Sequence, residues 1–183
     1  MTGAPGALVS RYARSLFAAA AERNALDAVR EDLRAIHRLW KEQPELRSLL
    51  LNPGLSRMKV RAILTSLAER LGLHAVSRAF IDVLLDKDRL ELLAGVQPVY
   101  ERLILDHEGK IEVKVTTAVV ITENLRQQIA QHLRKKSGKD PVVEWRQDPR
   151  IIGGIVVEWP DHVFDGSLAR KIQNLQVQLA GTA

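Results

Sequence analysis

Five histidines are the first residues to weigh for chemistry: His37, His74, His107, His132 and His162. None stands in H-E-x-x-H or another metal-ligand spacing, and each falls on a different element or loop. They read as scattered surface or rim residues. Cysteine is absent, which removes disulfides, thiolate metal sites, iron–sulfur clusters and cysteine nucleophiles together. Asp86 and Asp88 are a carboxylate pair, but they flank Lys87 in a polar break and read as exposed turn residues rather than acid–base partners. Gly153-Gly154 is followed by no Lys-Ser/Thr and opens no helix, so the phosphate-loop pattern fails. Paired glycines inside a strand mark a bulge or a close backbone approach. Asp165-Gly166-Ser167 lacks the G-x-S-x-G elbow, and Ser167 reads as a helix cap. Trp40, Trp145 and Trp159 are too dispersed to form a stacking platform for bases. The expectation is no catalytic residue, no metal, no cofactor and no enzyme activity.

With chemistry set aside, charge is the next feature that could name a partner. Lys plus Arg is 27 and Asp plus Glu 22, a formal charge of +5 over 183 residues. Sixteen basic and twelve acidic side chains fall in residues 1–105, and eleven and ten in 106–183. The signs are interspersed, whereas a nucleic-acid footprint is a concentrated stripe or patch. The dense cluster is Arg134, Lys135, Lys136 and Lys139. It leaves one alternative open, a small basic nucleic-acid-binding protein using Arg134–Lys139. The apolar fraction of 46% argues against disorder. No apolar run approaches the length of a membrane span, and the N-terminus lacks the basic-then-apolar pattern of a signal peptide. A soluble intracellular protein is the expectation.

The elements change character near residue 110. Before it, apolar residues recur at helical spacing. The stretches are about 7–23, 26–42, 44–51, 56–71, 74–85 and 90–106. Leu26, Val29, Leu33, Ile36 and Trp40 show the three-and-four pattern most clearly. Ser56 suits an N-cap, and Gly72 a helix C-terminus. After Gly109, Ile111, Val113, Val115, Thr117, Val119 and Ile121 alternate at the period of a strand. Thr122 caps a helix with Leu125, Ile129 and Leu133 on one face, and Gly138 ends it. Short strands follow at Val142–Arg146, Ile151–Trp159 (interrupted by the glycine pair) and His162–Phe164, with a hairpin turn at Pro160-Asp161. Leu168, Ile172, Leu175 and Leu179 define a terminal amphipathic helix. The expected fold is mainly α: a six-helix bundle over 1–107, then a small α/β domain with a short mixed sheet over 108–183.

What remains is surface for partners. A helical bundle recognises another helix through an apolar groove. Tyr12, Leu16 and Phe17 on the first helix fit such a groove or the bundle core, and periodicity leaves both open.

The chain also resembles a known family. Arg11-Tyr12-Ala13-Arg14-Ser15-Leu16-Phe17 is similar to the R-Y-A-x-A-L-F opening of the delta subunit of bacterial F-type ATP synthase, whose mitochondrial counterpart is the oligomycin-sensitivity-conferring protein. Leu51-Asn52-Pro53, the segment Phe80 to Leu93 with Asp88-Arg89-Leu90, and Val115-Thr116-Thr117-Ala118 each resemble family segments. The strongest match is Asp148 through Val157, with Ile151-Ile152-Gly153-Gly154 at its centre, followed by Asp165-Gly166-Ser167. The likeness keeps its order over nearly the whole chain. Ser15 departs from the usual Ala, and Pro160-Asp161-His162 from a Gly/Asp-rich hairpin.

The resemblance implies a non-catalytic stator subunit, one copy per complex. It would be peripheral to the membrane through the complex, on the cytoplasmic face. Its helical domain would receive the N-terminal helix of an alpha subunit on the catalytic head. Its second domain would hold the C-terminal end of the b-subunit stalk. No nucleic acid is expected. By position, the groove would lie between the first and fifth helices, with Tyr12, Leu16 and Phe17 on one wall and Phe80, Val83 and Leu84 on the other. Gly153, Gly154, Asp165, Gly166 and Ser167 are expected to be structural. The Ile152-Gly153-Gly154 bulge and the Leu168–Leu179 helix are either structural or stalk-contacting.

Overall fold

The computed structural model describes residues 4–151, 153–159 and 163–166. The expected Leu168–Leu179 helix, the Ser167 cap, Ile152 and the Pro160-Asp161-His162 turn lie outside the described residues. The chain is mainly helical, with a small four-stranded mixed sheet. It divides into two compact units between Ile104 and Leu105.

The first unit is built from α1 (Ala4–Glu22), α2 (Leu26–Glu42), α3 (Pro44–Leu50), α4 (Arg57–Arg70), α5 (Ala75–Asp86) and most of α6 (Leu93–His107). Local signals set the boundaries. Pro44 fits the first turn of α3, where no N–H is needed. Ser56 Oγ accepts the Lys59 N–H at 3.4 Å, a side-chain cap for α4. Gly72, at φ +63°, takes the left-handed turn after α4. His74, expected inside the fifth helix, instead caps it: its Nδ1 accepts the Val76 N–H at 3.2 Å. Asp32 on α2 accepts the His74 N–H at 2.8 Å, joining α2 to the start of α5. The sixth helical stretch breaks into a 3-10 turn at Leu90–Leu92 before α6 begins.

Each helix turns one stripe into a shared core. Ala13, Leu16, Ala20, Val29, Leu33, Val76, Leu84, Val96 and Tyr100 are buried together. Small Ala13 and Ala20 let α1 lie close to its neighbours. A polar clamp joins α2 to α6. Arg30 Nε donates to both Glu101 carboxylate oxygens, at 2.9 and 3.1 Å, and Arg34 adds a bond at 3.1 Å. Burial alone would raise the Glu101 carboxyl, but the hydrogen bonds and charges of Arg30 and Arg34 outweigh it and hold the group below its ordinary range.

The second unit carries β1 (Lys110–Thr117), α7 (Glu123–Ser137), β2 (Asp140–Gln147), β3 (Ile155–Glu158) and β4 (Val163–Asp165). Strand order is β2-β1-β3-β4. β1 and β2 are parallel, joined through α7, whereas β3 is antiparallel to both β1 and β4. Odd-numbered β1 residues share the α7 face with Val143, Trp145 and Val157. Thr122 Oγ1 accepts the Leu125 N–H, and Gly138 closes α7 at φ +70°.

Two strand expectations are corrected. β1 stops at Thr117 rather than running to Ile121. Its neighbours give out there, at Thr117↔Gln147 and Thr117↔Ile155, and the Thr117 hydroxyl donates to the Val119 carbonyl at 2.8 Å. Val119 and Val120 consequently point to solvent. β3 begins at Ile155 rather than Ile151. Gly153 and Gly154 hold φ of 148° and 95°, so the pair precedes the strand instead of bulging within it. Ordinary side chains rarely adopt such values.

Candidate partner-binding surfaces

Three surfaces follow from these elements. The first is a cleft of about 330 Å³ between α1 and α5. Tyr12, Ser15, Leu16, Ala19 and Arg23 line it from α1, and Val76, Ala79, Phe80 and Val83 from α5. Both sets follow three-and-four spacing, so each helix presents one continuous edge. Leu16 and Phe80 are almost fully buried and form the floor. Val83 is 46% exposed and forms a lip. Ser15, Ala19 and Ala79 are too short to close the gap. Arg23 stands at one end, and the Arg89 guanidinium lies 6.0 Å from the Tyr12 ring centroid towards the other.

Four of the six groove residues read from the sequence line this cleft together: Tyr12, Leu16, Phe80 and Val83. Two do not. Leu84 is fully buried and belongs to the core. Phe17 packs on Tyr100 of α6, ring centroids 5.9 Å apart and tilted by 58°. One residue along a helix turns the side chain by roughly 100°, which takes Phe17 and Leu84 off the edges that Leu16 and Val83 occupy. The sequence reading did not single out Ser15, Ala19, Arg23 and Ala79 as lining residues. A seven-residue step from Tyr12 to Ala19, and from Val76 to Val83, was the available signal.

The second surface is a cleft of about 410 Å³ between α7 and the β3–β4 hairpin. Leu125, Ile129 and Leu133 line it from α7, and Ile155, Val157, Trp159 and Phe164 from the sheet. It was not legible beforehand, because it requires the β3–β4 pairing that places Phe164 beside Val157.

The third is the basic cluster at the end of α7. Arg134 Nε lies 2.9 Å from Asp140, and Lys139 Nζ lies 2.8 Å from Asp106. The Lys136 ammonium sits over the Trp159 and Phe164 rings, at 4.9 and 5.7 Å. Three of the four cations are therefore engaged locally and do not form an open phosphate-binding face. The nucleic-acid alternative has no support here. No cluster of three or more His, Asp or Glu with metal-binding proximity occurs among the described residues.

Residues 8–179 match the family described as ATP synthase delta (OSCP) subunit. The ATP synthase subunit delta of Syntrophobacter fumaroxidans is 35% identical over 172 residues, covering 94% of each chain. A chain of the Toxoplasma gondii mitochondrial ATP synthase hexamer superposes with a TM-score of 0.72 over 94% of this chain and 97% of that one; at 21% identity it speaks for the fold alone. A chain of Polytomella F-ATP synthase, from a structure of its F1 head and rotor, is 28% identical with a TM-score of 0.51, covering 59% of this chain and 91% of its own. With a match this continuous from α1 onward, the chain belongs to the ATP synthase delta (OSCP) subunit family.

Proposed function

We propose that this protein is the non-catalytic stator subunit of an F-type ATP synthase, one copy per complex, peripheral to the membrane on its cytoplasmic face. The single observation that carries the reading is the end-to-end family match over residues 8–179. Residues 1–107, as a six-helix bundle, dock on the catalytic head. The N-terminal helix of an alpha subunit lies in the α1–α5 cleft, on Tyr12, Leu16, Phe80 and Val83. Residues 108–183 hold the C-terminal end of the b-subunit stalk.

A stator does no bond chemistry. It must stay bound while the rotor turns, so its contacts need a slow off-rate. Apolar anchors in a dry cleft supply that, and charges at the rim set orientation. The α1–α5 cleft has this composition, with apolar walls and cations towards its ends. A helix anchored by side chains at i, i+3 or i+4, and i+7 fits a groove of this kind.

Co-purification of the full chain with the alpha and b subunits tests the reading. Retention of both subunits is expected. Loss of both under conditions that keep the chain folded overturns it.

A further inference from the structure

The walls of the α1–α5 cleft are apolar, and its charge lies at the two ends. Among the described residues that line it, Arg23 alone is charged. The Ser15 hydroxyl donates to the Arg11 carbonyl at 3.1 Å and is thus satisfied on its own helix. The acids of α5 are turned away towards α4, where Arg61 lies 3.6 Å from the Asp82 carboxylate and also pairs with Asp86. Among the described residues, no carboxylate pairs with Arg23 or with Arg89. The cleft therefore offers positive charge at each end and no negative charge between.

The two arginines also mark its length. Arg23 follows α1 directly, and Tyr12 lies eleven residues earlier, about 16 Å along the helix. The Arg89 guanidinium sits on the Tyr12 ring, 6.0 Å from its centroid. Arg89 comes shortly after the end of α5 at Asp86, so α5 runs back along α1. A helix lying between these two edges has an arginine near each of its own ends.

The ends of such a helix are not alike. Its N-terminus carries unpaired N–H groups and about half a positive charge, its C-terminus unpaired carbonyls and about half a negative one. The arginine at the C-terminal end is complemented by those carbonyls as they stand. The arginine at the N-terminal end is repelled unless the helix brings a carboxylate. Asp or Glu in the first turn stabilises the helix itself and gives the guanidinium a charge-assisted partner. The argument holds for either course along the cleft.

We propose that Arg23 and Arg89 make the cleft selective for an amphipathic helix with an acidic first turn, and that they reject one whose first turn is basic. The proposal rests on the reading that the cleft receives a helix.

The test is calorimetry of the full chain with a synthetic alpha N-terminal peptide in three versions, carrying Glu, Gln or Lys at the second residue of its helix. Affinity should fall in that order, by about tenfold from Glu to Lys at low salt, and the spread should narrow as salt rises. Arg23→Gln or Arg89→Gln should bring the three peptides within about twofold of one another. The matching Arg23→Lys or Arg89→Lys should restore the order. Circular dichroism checks that each variant is folded. Equal affinities of the three peptides for wild type overturn the proposal. So does a Glu preference that survives in both glutamine variants, since it then belongs to the peptide's own helix propensity. If none of the peptides binds wild type, the helix-binding reading of the cleft falls, and this proposal with it.

Discussion

Phe17 lies against Tyr100, ring centroids 5.9 Å apart and tilted by 58°, and this contact turns the Phe17 face of α1 towards α6. Tyr100 is itself anchored, its hydroxyl donating to the Leu26 carbonyl at 3.2 Å. Phe17 thus helps tie α1 to α6, while Tyr12 and Leu16 turn to α5. Phe17→Ala should cost about 2–3 kcal/mol of stability, the loss of a largely packed ring. Denaturant titration reads the cost. Affinity for an alpha-subunit peptide should stay within about threefold of wild type, less than 1 kcal/mol.

Tyr100 and Glu101 give stability a pH limit on each side. Burial, with the nearby Asp27 charge adding to it, pushes the Tyr100 phenol up to about 12. A raised folded value means that its contribution is complete below the unfolded value and fades as pH climbs through the folded one. Unfolding should become easier by roughly 2–3 kcal/mol between about pH 10 and 12. Tyr100→Phe should flatten that limb in pH-dependent denaturation.

Glu101 has the opposite sign. Its lowered folded value means that its contribution is present above the unfolded value and fades as pH falls. As pH falls through and below the ordinary glutamate range, wild type should lose stability faster than Glu101→Gln. At neutral pH, Glu101→Gln should be less stable by roughly 1–2 kcal/mol, because charge-assisted bonds become neutral ones.

The ends of α7 offer a local test. Thr122→Ala removes the side-chain acceptor for the Leu125 N–H and should cost about 1 kcal/mol. Gly138→Ala meets no atom within 4 Å but must hold φ near +70°, so it should cost roughly 1 kcal/mol through backbone strain alone. Guanidinium unfolding compares the two.

The sequence made several helices legible because they carry both a stripe and a punctuation residue. Ser56, Gly72, Thr122 and Gly138 sit at the ends they announce. The sheet was less legible. Alternation from Ile111 to Ile121 continues past Thr117, but a strand lasts only as long as its partners, and those are set by pairing distant in sequence. Of the six residues named for the groove, Tyr12, Leu16, Phe80 and Val83 line the α1–α5 cleft, and Phe17 and Leu84 do not. The family resemblance put the α1 and α5 edges in play, and spacing could not separate Leu16 from Phe17 or Val83 from Leu84. That choice depends on where Tyr100 and the core lie.

The account rests on the α1–α5 cleft as the site for an alpha-subunit helix. Calorimetry of a synthetic alpha N-terminal peptide against wild type and Val83→Asp tests it most directly. Val83 is 46% exposed, so the substitution should leave the fold intact, to be checked by circular dichroism. The account predicts binding to wild type and a loss of at least about a hundredfold, near 2.7 kcal/mol, in Val83→Asp. Equal affinity for the two folded proteins would contradict it.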